Sequence, residues 1–151
     1  MGPPGIVLVL YADTSFLISL YLSDAHSTKA LGLTASTKFP FVITPLTELE
    51  FTNSLKLSVF RKLLAAKQAE SVLGHFAQDV SDGFLRPGPL PTVAFERAHQ
   101  MATRHTQRIG TRTIDVLHVA SALTLSAKRF YTFDRAQAKL ARMVGLDVIG
   151  S

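Results

Sequence analysis

Four acidic residues sit where an apolar chain changes direction. Asp13 directly follows the apolar run Ile6–Ala12, Glu48 lies four residues after Thr44, Asp115 is set inside Thr113-Ile114-Asp115-Val116-Leu117, and Asp134 directly follows Arg129–Phe133. A carboxylate at a helix start has an ordinary use: it caps free amides or meets the positive end of the helix dipole, which stabilises by a few tenths to about 1 kcal/mol. Two of the four fit that use poorly. Glu48 lies one place past the capping-box offset from Thr44, and Asp115 lies in apolar surroundings where a carboxylate must meet something polar. The chain has no cysteine, which removes thiolate metal sites and cysteine nucleophiles. Clustered carboxylates without thiols suit hard divalent cations such as Mg²⁺ or Mn²⁺.

The elements that must gather these acids are legible in outline. Ile6–Ala12 reads as a buried strand feeding a helix that carries Phe16, Leu17, Leu20 and Tyr21. A second helix is expected over Ser23–Thr37, then a short strand Phe41–Ile43. Thr44 with Pro45 behind it starts the next helix, to about Leu57, and another follows over Leu63–Val80. Phe84-Leu85 reads as a short strand closed by the turn cluster Pro87–Pro91. Beyond it come a helix over Thr92–His105, a polar loop Thr106–Thr111 and an apolar helix Arg112–Ala127. Arg129–Phe133 is a strand, Asp134 starts a helix ending near Met143, and Val148-Ile149 fits a final edge strand. Strands separated by helices imply an α/β fold, a mainly parallel sheet of about five strands with helices on both faces. In such a sheet the four acids fall at the carboxyl edge, where α/β sites are built.

In order, spacing and strand-helix context, YADTSFLISLY, TPLTELEF, RTIDVLHVASAL and FYTFDRAQAKLARMVGL resemble the PIN-domain family, especially the ribonuclease toxins of the VapC type. The resemblance covers nearly the whole chain. It implies a PIN-like fold and an acidic quartet of Asp13, Glu48, Asp115 and Asp134 serving as catalytic, metal-holding residues. Glu48 rather than Glu50 matches the acid that follows the hydroxyl-apolar run and precedes a Leu. It further implies one or two Mg²⁺ or Mn²⁺ ions, hydrolysis of RNA, a homodimer, and a cognate antitoxin protein. Ser15 and Thr132 match small hydroxyl positions that orient a carboxylate or water. His118, one helical turn after Asp115, is given a structural role.

Composition sets the remaining bounds. With 151 residues the chain is one domain, read as 6–151, and Met1–Gly5 reads as a disordered tail or an appended remnant. Sixteen Lys and Arg against eleven Asp and Glu give a net charge of +5, which makes polyanions the default charged partner. Arg104, Arg108 and Arg112 around the polar loop, with Arg135 and Lys139 after Asp134, could line an RNA path. The ten Phe residues are scattered and form no recognisable base-stacking signature. No membrane segment or signal peptide is read, and the absence of cysteine fits a reducing compartment, so the expected location is cytoplasmic. Two other readings compete. A phosphoryl-handling α/β domain would want adjacent acids after the first strand, or a second Asp two residues on, and Ala12-Asp13-Thr14-Ser15 supplies neither. A non-catalytic PIN-like scaffold that binds RNA or protein would not need the intact quartet.

Overall fold

A computed structural model describes residues 8–38 and 40–151. The expected tail and the first two residues of the expected first strand lie outside them. The chain runs β1 (Leu10–Ala12), α1 (Thr14–Tyr21), α2 (Ser27–Ala35), β2 (Phe41–Ile43), α3 (Pro45–Phe60), α4 (Ala66–Ser81) and β3 (Leu85–Pro87). It continues with α5 (Thr92–Met101), a π-helical segment Ala102–Thr106, α6 (Gln107–Ile109), α7 (Thr113–Thr124), β4 (Arg129–Tyr131), α8 (Arg135–Met143) and β5 (Asp147–Ile149). Among the described residues no helix is long and apolar enough to cross a membrane.

The five strands form one parallel sheet in the order β3-β2-β1-β4-β5. Alternation along each strand divides the core. Leu10 and Ala12 of β1 and Tyr131 of β4 point into a cluster with Phe16, Phe41, Phe51 and Leu55, covered by α1 to α4. Tyr11 and Phe130 point the other way, onto Val119, Ala120 and Leu140 of α7 and α8. Side chains of this size, fully buried, each contribute roughly 1.5–3 kcal/mol, so both sheet faces are held independently of the acids. Helices on both faces of a parallel sheet are therefore the observed architecture.

The chain winds outward from β1 to β2 and β3, then returns to lay β4 on the other side of β1. Strand order reverses there, and the carboxyl ends of β1 and β4 flank the crevice that such a reversal opens. Ala12 pairs with Tyr131 in register, which sets Asp13 beside Thr132.

Two local expectations are corrected. Thr106–Thr111 is mostly helical: α5 passes through the π-helical segment into α6, and the turn is confined to Gly110–Arg112. Gly110, at φ 76°, is the left-handed residue that ends α6 and aims the chain into α7. Pro87, expected in a turn, is the last residue of β3, where it is tolerated because β3 is an edge strand.

Candidate active site

Asp13 is the N-cap of α1 and fully buried. Its Oδ1 accepts from the Phe16 amide (2.9 Å) and the Ser15 hydroxyl (2.7 Å), and its Oδ2 accepts from the Thr132 hydroxyl at 2.5 Å. Ser15 also accepts from the Phe133 amide and Thr132 from the Asp134 amide, at 3.0 and 2.9 Å. The two hydroxyls expected to orient a carboxylate thus stitch the end of β1 to the end of β4. Burial nevertheless dominates the electrostatics. It pushes the Asp13 carboxyl up to about 6, against the opposing pull of His118 and the three hydrogen bonds.

Asp115 and Asp134 lie on the other side of the crevice. Asp115, 1% exposed, accepts from the Arg112 amide at 2.8 Å and from Gln137 Nε2 at 3.0 Å. Asp134 is the N-cap of α8 and accepts from the Gln137 amide at 2.8 Å. The Arg112 guanidinium spans both, 3.4 Å from Asp115 Oδ2 and 3.8 Å from Asp134 Oδ2, while its own side chain is 77% exposed. It is a tethered positive charge held between two carboxylates by weak, solvent-facing contacts.

Glu50 and Asp134 line the cavity of this crevice, whereas Glu48, like the buried Asp13 and Asp115, does not. Two residues on an α-helix are about 200° apart around its axis, so Glu48 and Glu50 cannot face the same way. Thr47, Phe51 and Leu55 form the buried stripe of α3, and Glu50, Ser54 and Ser58 line the cavity along its flank. Glu50 is tied down by buried partners. Thr14 Oγ1 donates to its Oε1 at 2.6 Å, and His118 Nε2 lies 2.5 Å from the same oxygen. Burial alone would raise the Glu50 carboxyl, but His118 and Thr14 more than offset it and hold the group below its usual range. An ionised carboxylate only accepts, so Nε2 carries a hydrogen, and Nδ1 lies 2.7 Å from the Tyr11 hydroxyl, which burial keeps protonated. The structural role expected for His118 is therefore specific: it fixes an acid of the crevice.

The cavity has a volume of about 450 Å³ and is lined by Ser15, Glu50, Arg112, Asp134 and Gln137 among others. Gln137, which the sequence reading does not single out, is 5% exposed, and its Oε1 is buried without a hydrogen-bond partner among the described residues. Of the basic residues expected at the rim, only Arg112 reaches the acids. Arg108, Arg135 and Lys139 are exposed. Arg104 lines a separate cavity with Leu123 and Val144, at the ends of α7 and α8 opposite Asp115 and Asp134.

Solved structures share the fold. A Mycobacterium tuberculosis toxin, VapC20, described as cleaving the sarcin-ricin loop, is 20% identical with a TM-score of 0.70, covering 94% of this chain and 99% of its own. FitAcB from Neisseria gonorrhoeae is 15% identical, TM-score 0.67, over 93% and 96%. VapBC2 from Rickettsia felis, bound to a DNA fragment from its promoter, is 16% identical, TM-score 0.67, over 94% and 98%. No curated protein matches the sequence. The family model of the PIN domain matches residues 10–143, nearly the whole described fold, and the chain belongs to the PIN-domain family.

Proposed function

We propose that this protein is a metal-dependent endoribonuclease, the toxin of a VapBC-type pair, acting through Asp13, Glu50, Asp115 and Asp134. The observation that carries the reading is the gathering of these carboxylates at the one reversal point of the sheet, each held by buried hydrogen bonds. Solved neighbours described as a sarcin-ricin loop cleaving toxin and as VapBC proteins bound to DNA support an RNA substrate and an antitoxin partner. A homodimer belongs to the same proposal.

The donor set fits a hard cation in kind. It is made of carboxylate oxygens, and the orphaned Gln137 Oε1 is a further buried oxygen in need of a donor or a cation. Among the described residues no three His, Asp or Glu stand close enough to hold one ion together. Asp13, Glu50, Asp115 and Asp134 would hold the ion, and Arg112, which pairs with Asp115 and Asp134, would compete with it. The cation, when bound, activates water and stabilises charge on the departing oxygen. The chain's own part is positional. Ser15, Thr132 and the Phe16 amide fix Asp13, His118 and Thr14 fix Glu50, and Gln137 fixes Asp115. Once displaced, Arg112 is free to pair with a substrate phosphate beside the acids it has left.

Incubating the protein with a mixed RNA pool should give cleavage with Mn²⁺ or Mg²⁺, none in EDTA, and ends carrying 5′-phosphate and 3′-hydroxyl. Full cleavage in EDTA, or 2′,3′-cyclic phosphate ends, would replace this reading with a metal-free route. Arg112→Gln should tighten Mn²⁺ binding severalfold in calorimetry, because it removes a competing cation, while weakening RNA binding and flattening its salt dependence by about one phosphate contact. Unchanged affinity for both ligands would show Arg112 to be solvated surface.

A further inference from the structure

His26 belongs to no part of the acid machinery, yet the fold delivers it to the same cavity. It immediately precedes α2, is exposed, and lays its imidazole on Phe133 with ring centroids 4.5 Å apart and planes 9° from parallel. Phe133 stacks in turn on the buried Phe16 at 5.4 Å and 21°. Phe133 is also the residue between Thr132, which holds Asp13, and Asp134. A column of flat rings therefore rises from the core and ends in an exposed imidazole one residue from the acid site. The loop fixes the backbone that carries the ring: Asp24 accepts from the His26 amide at 2.8 Å and from the Ser19 hydroxyl at 2.8 Å.

The chemistry of the cavity narrows what could lie on this column. Ser15 and Ser19 of α1 face Ser54 and Ser58 of α3 across it, and Asp24 adds a carboxylate to Glu50 and Asp134. Arg112 is the one Lys or Arg among the described lining residues, and it is already shared between two acids. Such a lining is unsuited to a run of phosphates. The Ser15 and Ser19 hydroxyls are spent on Asp13 and Asp24, which leaves those of Ser54 and Ser58, able to donate and accept beside an aromatic face, to suit the edge and the face of a nucleobase.

We propose that His26, backed by Phe133, is the stacking platform for one nucleobase flanking the scissile phosphodiester. The inference rests on the nuclease reading above and deepens it. A base can reach the platform only when it is unstacked from its own strand. Exposed stacking of this kind is tolerant of base identity, and the serine-lined wall would supply the preference.

The test uses a seven-nucleotide RNA spanning a bond that the wild-type protein cuts, with a single 2-aminopurine moved through successive positions. Binding is read with the Asp115→Asn protein in Mn²⁺, and cleavage with the otherwise native protein. One position next to the cut bond should show strong fluorescence quenching on binding. His26→Ala should abolish that quenching, weaken binding about tenfold and raise KM with kcat within about twofold, and His26→Phe should restore all three. Quenching and affinity unchanged in His26→Ala, or a His26→Phe protein no better than His26→Ala, would overturn the platform. An otherwise native protein that cuts no RNA in any metal would instead overturn the nuclease reading, whereas normal cutting with a silent His26→Ala would overturn the platform alone.

Discussion

Asp115→Asn should lower RNA cleavage at saturating Mn²⁺ at least about 100-fold, and Glu50→Gln should do the same, while Glu48→Gln should leave the rate within about twofold. The fold should survive all three changes. An Asn at 115 still accepts from the Arg112 amide, and its new NH₂ can donate to Gln137, whose Oε1 has no donor now and whose amide can turn to present it. A Gln at 50 likewise still accepts from Thr14 and His118. What both changes remove is the negative charge that a cation requires. Glu48 reaches neither the cavity nor any of these partners, so its charge should be dispensable. Initial rates on one cut RNA, with melting curves of each variant, read both effects. Loss of activity in Glu48→Gln with a silent Glu50→Gln would return the second acid to the position that the sequence resemblance assigns.

That exchange shows where the sequence is informative and where it stops. The sheet was legible because its periodicity is strong: short β-branched or aromatic runs, each ended by a polar residue that starts a helix, force a parallel sheet and put the acids at one edge. Asp13, Asp115 and Asp134 are legible as candidates because each is tied to such a boundary. The choice between Glu48 and Glu50 is not, because both lie within a helix, where a difference of two residues reverses direction. The buried stripe Thr47, Phe51 and Leu55 separates the flank of Glu48 from that of Glu50, and only the packing of α3 decides which flank lines the cavity. The expected loop at Thr106–Thr111 failed differently. Its threonines are weak helix formers, but α5 and the residues after it pack along α7, and tertiary contact overrides propensity. Arg104 was misplaced as a consequence, since a continued helix carries it to the far cavity. The pairing of His26 with Phe133, more than 100 residues away in sequence, has no local signal at all.

Asp13→Asn should stabilise the metal-free protein at pH 7.5 and abolish any stabilisation by Mn²⁺. Burial raises the Asp13 carboxyl from 3.8 to about 6. The folded state therefore binds this proton more tightly than the unfolded chain does. As pH falls from about 6 to about 4 the folded protein takes up a proton that the unfolded chain still lacks, so stability rises. As pH climbs back through that window the gain is lost, and above it the ionised group costs about 3 kcal/mol, at about 1.4 kcal/mol per pH unit. Asparagine caps a helix as well as aspartate does, and Ser15 and Thr132 can rotate to accept from its NH₂, so the variant avoids the cost without losing the cap. For a domain of this size the expected rise in melting temperature is about 5 °C or more. Wild type should gain stability from Mn²⁺, which binds only the folded state and relieves the buried charge, and the variant should not. Were Asp13 simply the cap of α1, the variant would be neutral or lose up to about 1 kcal/mol, and neither protein would respond to the ion. Melts of both proteins at pH 4.5, 6 and 7.5, with and without Mn²⁺, separate the two: the stability difference between variant and wild type should widen as pH rises from 4.5 to 7.5, and a variant that is the less stable of the two at pH 7.5 would overturn the strained-carboxylate reading.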